Sequence, residues 1–164
     1  MIKKNVSSLL LVLVSVWWAW TLLVDLVVVR TLFANIDDFF RAGEIGIQLF
    51  SKLNLLEVIV GSLIVALLSF ALTWNKNFKP FLILSVLTWG LAMFYFAFLI
   101  PKIIFLTDLW KRADLMGITS VAGIPDIQQE HQFYHNLYIG LDSFKLILLS
   151  CLILLTIWKR EKLA

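Results

Sequence analysis

Four stretches of this chain stay apolar long enough to cross a bilayer, and polar positions interrupt them in a regular way. They run from about Ser8 to Val29, Leu53 to Trp74, Pro80 to Ile100 and Leu137 to Trp158. Crossing about 30 Å of hydrocarbon takes roughly 20 residues at about 1.5 Å each, so each stretch predicts a transmembrane helix. The Asn75–Lys79 connection is a tight turn, which makes the second and third spans an antiparallel hairpin. The Arg30–Lys52 and Pro101–Asn136 connections are longer and mix charges with apolar residues. In Ile36–Phe50 the polar residues Asp37, Arg41, Glu44 and Gln48 recur at helical spacing. The second helix is therefore expected to begin as an amphipathic segment ahead of its apolar part. The third is expected to continue through Lys102–Leu115 with a kink at Pro101, because proline removes a backbone hydrogen bond. Gly117–Pro125, uncharged and holding glycine and proline, reads as a loop.

Composition agrees with the pattern. Apolar residues make up 61% of the 164 and charged residues 15%. A soluble domain of this size has too little interior for so much apolar surface. The expected class is all-α: one domain, residues 1–164, folded as a multi-pass four-transmembrane-helix bundle with amphipathic extensions of helices 2 and 3. Lys3 and Lys4 precede the first apolar run as in a signal peptide, but the run from Val6 to Val29 is too long for one and is expected to remain as a span. The solitary cysteine, Cys151, lies within an apolar run and reads as a core or lipid-facing residue.

Charge then orients the bundle. Four spans put both termini and the Asn75–Lys79 turn on one side. That side holds Lys3, Lys4, Lys76, Lys79, Lys159, Arg160 and Lys162 in short segments, with Glu161 as its acid. Basic residues in short segments near span ends mark the cytoplasmic face. The expected location is a cell membrane, the inner membrane in a bacterium, with both termini cytoplasmic. No basic run suits nucleic acid. The expected partners are the lipid bilayer and, in a second reading, a membrane protein or another copy of the chain.

Candidate chemistry concentrates in the fourth helix. His131, His135, Tyr138, Asp142 and Lys145 are spaced four, three, four and three apart. At helical periodicity they share an arc of roughly 80°. Charged groups at membrane depth cost about 2.5–3.5 kcal/mol each on insertion scales, so they usually face a bundle interior or a wet cavity. Asp142 and Lys145 are placed to pair. Asp25 near the end of the first span, Asn54 and Glu57 near the start of the second, and Lys102 and Asp108 after the third lie toward the same end. One reading is a polar vestibule, open on the non-cytoplasmic side, that binds an ion or small polar ligand through His135, Asp142, Lys145, Tyr138, Asp25 and Glu57. The other is that these groups join helices and reach for the interface, as in an accessory subunit.

A narrower reading gives His131 and His135, four apart, a transition metal, with Glu130, Asp142 or Asp108 completing the site. Haem held by both histidines is disfavoured, since two on one helix cannot reach opposite faces of a porphyrin. The sequence lacks a Gly-rich phosphate loop, a nucleophile elbow and a Cys pair, so neither a catalytic set nor a cofactor is expected. Thr21 and the other hydroxyl residues within the spans read as packing residues.

The short segments Arg30-Thr31-Leu32-Phe33, Arg41-Ala42-Gly43, Leu49-Phe50-Ser51-Lys52-Leu53, Ile100-Pro101-Lys102 and Phe133-Tyr134-His135 follow one another in an order that resembles the transmembrane protein 205-like family, whose bacterial branch is described as a domain of unknown function. The resemblance spans nearly the whole chain. It implies a four-helix membrane protein with a histidine near the start of the last helix, matched by His135, and a polar residue seven later, matched by Asp142. The family pattern has an amide where this chain has Asp142, and a small hydroxyl residue where it has Tyr138. The resemblance implies no substrate.

Overall fold

The structure is a computed structural model that describes residues 2–116 and 127–159. All regular structure among them is helical. The first rod is built from α1 (Ile2–Leu23), a π-helical turn (Val24–Val28) and α2 (Val29–Asn35). The second is α3 (Phe39–Leu72). The third joins α4 (Lys79–Phe94), a second π-helical turn (Tyr95–Leu99) and α5 (Ile100–Leu115). The fourth is α6 (Ile127–Trp158). Four helical segments, Val6–Asn35, Phe40–Leu72, Lys76–Ala113 and Ile127–Trp158, are long and apolar enough to cross a membrane. Helices suit that setting because their backbone polar groups are satisfied within the segment. The chain is thus a multi-pass membrane protein with a four-helix bundle fold.

Local chemistry sets the boundaries. Residues 36–38 break the helix that Ile36–Phe50 had been expected to form: Asp38 is extended, and its carboxylate accepts from the backbone N–H groups of Phe40 at 3.0 Å and Arg41 at 3.2 Å. This N-cap satisfies donors that have no partner within the helix and starts α3 at Phe39. The Asn75 side chain caps the short 3-10 turn Lys76–Phe78 in the same way, and Pro80 sits in the first turn of α4, where its missing N–H costs nothing. Pro101 sits in the first turn of α5, just after the π turn, and the third rod continues through it. The Gly117–Pro125 loop lies outside the described residues.

The rods pack as an up-down-up-down square. The first touches the second and fourth, and the third touches the same two. Toward the termini the core is apolar, with Leu10, Val14, Ile64, Leu68, Ala71, Phe81, Leu149 and Leu152 buried among one another. At the other end a second layer gathers Tyr95, Leu99, Ile103 and Tyr138. Leu63, Phe70, Leu154 and Cys151 face outward, as lipid-facing positions do. Gly61 lets the first three rods approach closely. A Cβ there would stand 2.6 Å from Trp89 Cδ1 and 3.1 Å from Trp17 Cη2.

Candidate functional site

Between the two core layers sits a knot of charge drawn from three of the rods. Glu57 on α3 and Lys145 on α6 are fully buried, and Asp142 and Tyr138 retain only 4% and 6% exposure. Lys145 Nζ lies 2.7 Å from Glu57 Oε1 and 2.5 Å from Asp142 Oδ1. It also stands 5.0 Å from the centroid of the Tyr95 ring, in a cation–π arrangement. Asp25 lies half-buried on the first π turn, in the neighbourhood of Asp142, Lys145 and Glu57.

Glu57 organises the knot. Its Oε1 accepts from the Trp17 indole N–H at 3.0 Å, from the Thr21 hydroxyl at 3.0 Å and from Lys145 at 2.7 Å. Three rods therefore meet on one carboxylate oxygen. Trp17, Thr21 and Asp25 occupy the same face of the first rod at steps of four. Thr21, expected to serve only packing, is a ligand of this carboxylate. Its hydroxyl also lies 3.0 Å from the Trp17 carbonyl, the usual partner of a hydroxyl within a helix.

The other side of the knot is rich in polar atoms without a hydrogen-bond partner. They are Glu57 Oε2, Asp142 Oδ2, both side-chain heteroatoms of Asn54, and the hydroxyls of Tyr95 and Tyr138. Asn54, fully buried, lies one turn before Glu57 on α3. The rings of Tyr95 and Tyr138 pack 5.0 Å apart. Buried polar groups are normally satisfied, and each one left unmet costs about 1–3 kcal/mol.

Asp25, Glu57, Tyr138, Asp142 and Lys145, all read as candidates from the sequence, meet here. His135 does not. It is exposed, and its ring stacks parallel to that of His131 with centroids 6.2 Å apart. His131 also packs against Trp110 at 5.4 Å. Among the described residues, no group of three or more His, Cys, Asp or Glu side chains is arranged to hold a metal ion. Glu130, considered as a third ligand, pairs instead with Lys102 at 2.9 Å, and Asp108 is exposed. Glu57 and Lys145 are fully buried and Asp142 nearly so, and Asp25 is the least buried acid of the group. The residues of this cluster that the sequence reading did not assign to it are Trp17, Thr21 and Tyr95. The four-residue spacing that links Trp17 and Thr21 to Asp25 was a usable signal; Tyr95 sits in an apolar run with none. Comparison of the chain with protein-family models, with curated proteins and with solved structures finds no match.

Proposed function

We propose that this membrane protein binds a small monovalent cation within the bundle, at the cluster formed by Asp25, Glu57, Asp142 and Lys145. One observation carries the reading: beside a buried group of acids and one base, Glu57 Oε2, Asp142 Oδ2, the Asn54 amide oxygen and the hydroxyls of Tyr95 and Tyr138 lack hydrogen-bond partners. Acids in excess call for positive charge, because an unmatched charge in a low-dielectric interior is costly. The donor set is mixed. It offers carboxylate oxygens from Glu57 and Asp142 beside neutral oxygens from Asn54, Tyr95 and Tyr138, and hard oxygen donors suit alkali cations better than soft metals. Cytoplasmic termini, inferred from the basic rim, would place the second core layer toward the outside.

Trp17 supplies the assay, since its indole donates to Glu57. Purified protein is titrated with lithium, sodium and potassium chloride against N-methylglucamine chloride at matched ionic strength, with tryptophan fluorescence and melting temperature followed. The expected result is a saturable response to at least one alkali cation, lost in Asp142→Asn, with the fluorescence part lost in Trp17→Phe. Identical curves for all salts, N-methylglucamine included, would overturn the reading. A second reading is favoured by the direct Glu57–Lys145 pair: the knot ties helices together in an accessory subunit. That reading predicts those identical curves.

A further inference from the structure

We propose that the cleft between the N-terminal end of α3 and the C-terminal end of α5 holds the zwitterionic headgroup of a phospholipid, and prefers phosphatidylethanolamine to phosphatidylcholine. The inference goes beyond the cation-binding reading and is independent of it, since Glu44 stands about 20 Å along α3 from Glu57 at about 1.5 Å per residue.

The cleft encloses about 380 Å³ and is lined by Asp38, Phe40, Arg41, Glu44, Lys111 and Leu115. Sites for small molecules begin at about 300 Å³. Two acids and two bases leave the cleft with no net formal charge, so it has nothing to offer a lone anion or a lone cation that the opposite charges do not oppose. A ligand that carries both charges can match each of them. Lys111 bridges to Oε1 of Glu44, with the two side chains 41% and 46% exposed. An ammonium has three N–H donors and a carboxylate two oxygens, so both groups keep capacity for a ligand. Asp38 accepts the backbone N–H groups of Phe40 and Arg41 on one oxygen, Oδ1. Among the described side chains, the exposed Arg41 guanidinium is in no ion pair. A guanidinium beside an ammonium suits a phosphodiester, whose oxygens the arginine fork matches. The second oxygens of Asp38 and Glu44 suit a primary ammonium, which donates three N–H bonds. A trimethylammonium donates none.

Position decides for a lipid over a soluble zwitterion. The second candidate span starts at Phe40 and the third ends at Ala113. The cleft therefore lies where two spans leave the hydrocarbon, at the level of the headgroups. Phe40 packs edge-on against Trp110 with ring centroids 5.3 Å apart, and aromatic rings gather at that boundary. Leu115, 78% exposed, gives the start of an acyl chain an apolar surface.

The test is native mass spectrometry of the purified full chain in detergent. The lipids are phosphatidylethanolamine, its N-methyl and N,N-dimethyl derivatives, phosphatidylcholine and phosphatidylglycerol, all with the same acyl chains. Arg41→Gln and Glu44→Gln alter the cleft, and Lys79→Gln removes an exposed charge at the opposite end. Exposed ion pairs contribute little to stability, so the variants fold, and their melting temperatures check it. The expected result is that phosphatidylethanolamine is retained at least fivefold more than phosphatidylcholine, with retention falling at each added methyl group. Arg41→Gln lowers the retention of both lipids by removing a phosphate partner. Glu44→Gln narrows the difference between them, and Lys79→Gln changes neither. Equal retention of every lipid overturns the proposal, as does a preference for phosphatidylglycerol, the mark of a site for anions alone. A Lys79→Gln effect as large as that of Arg41→Gln overturns the location. Glycine or O-phosphoethanolamine bound without any lipid preference overturns the lipid as occupant.

Discussion

Replacing Lys145 by Met keeps the volume and removes the ammonium on which the knot depends. In the wild type that ammonium touches two carboxylates whose side chains are 0% and 6% exposed. In the variant Glu57 and Asp142 face each other, with Asp25 beside them, in an interior without a counter-charge. Removing one partner of a buried pair costs about 3–5 kcal/mol, much of it the penalty on the charge left behind. For a chain of this size that corresponds to a fall in melting temperature of about 6–20 °C. The companion change Glu57→Gln discriminates between causes. Glutamine keeps a carbonyl oxygen for the Trp17 and Thr21 bonds but carries no charge, so Lys145→Met should cost about 2 kcal/mol less in the Glu57→Gln background than in the wild type. The measurement is equilibrium unfolding in mixed micelles with increasing dodecyl sulfate, followed by tryptophan fluorescence, for wild type, both single variants and the double. Additivity within about 0.5 kcal/mol would refute the reasoning. So would a Lys145→Met cost below about 1 kcal/mol, the level of a solvent-exposed pair.

Two further substitutions test the supports of the knot. Thr21→Val preserves shape and deletes the hydroxyl 3.0 Å from Glu57; hydrogen bonds to charged groups contribute about 1.5–3 kcal/mol, and a loss in that range is expected in the same unfolding assay. Gly61→Ala sets a methyl group against Trp89, whose indole is also held by a 3.1 Å bond to Ser62, and against Trp17. Overpacking of this kind costs about 1–3 kcal/mol. A shift in tryptophan fluorescence should accompany it as the Trp17–Glu57 bond is displaced, and an unchanged spectrum and melting temperature would count against close packing at this position.

What the sequence determined by itself was the class of structure and most of the members of the site. Apolar run length sets the number of spans, because hydrocarbon thickness translates directly into residues, and the short Asn75–Lys79 turn makes the central hairpin unavoidable. The stripe Tyr138–Asp142–Lys145 was legible because helical periodicity is a property of the chain alone, and Asp25 and Glu57 were conspicuous as acids beside apolar runs. Tertiary structure decided how those groups are used. From apolar runs alone, Asp25, Glu57 and Asp142 lie near span ends and within reach of the interface. The helices instead run well past those runs, with α3 beginning at Phe39 and α6 at Ile127, so the cluster falls near the middle of the rods. Lys145 is adjacent to Asp142 by spacing, but its bond to Glu57 joins residues 88 positions apart and depends on how two rods face each other. Thr21 reads as a packing residue and Trp17 and Tyr95 carry no signal of their own, because a hydroxyl, an indole and a phenol are all common in apolar helices. Only the packing of the rods determines which polar tips meet a carboxylate. His135 shares the stripe yet is exposed, since the same helix face is buried or open according to what lies against it at that level.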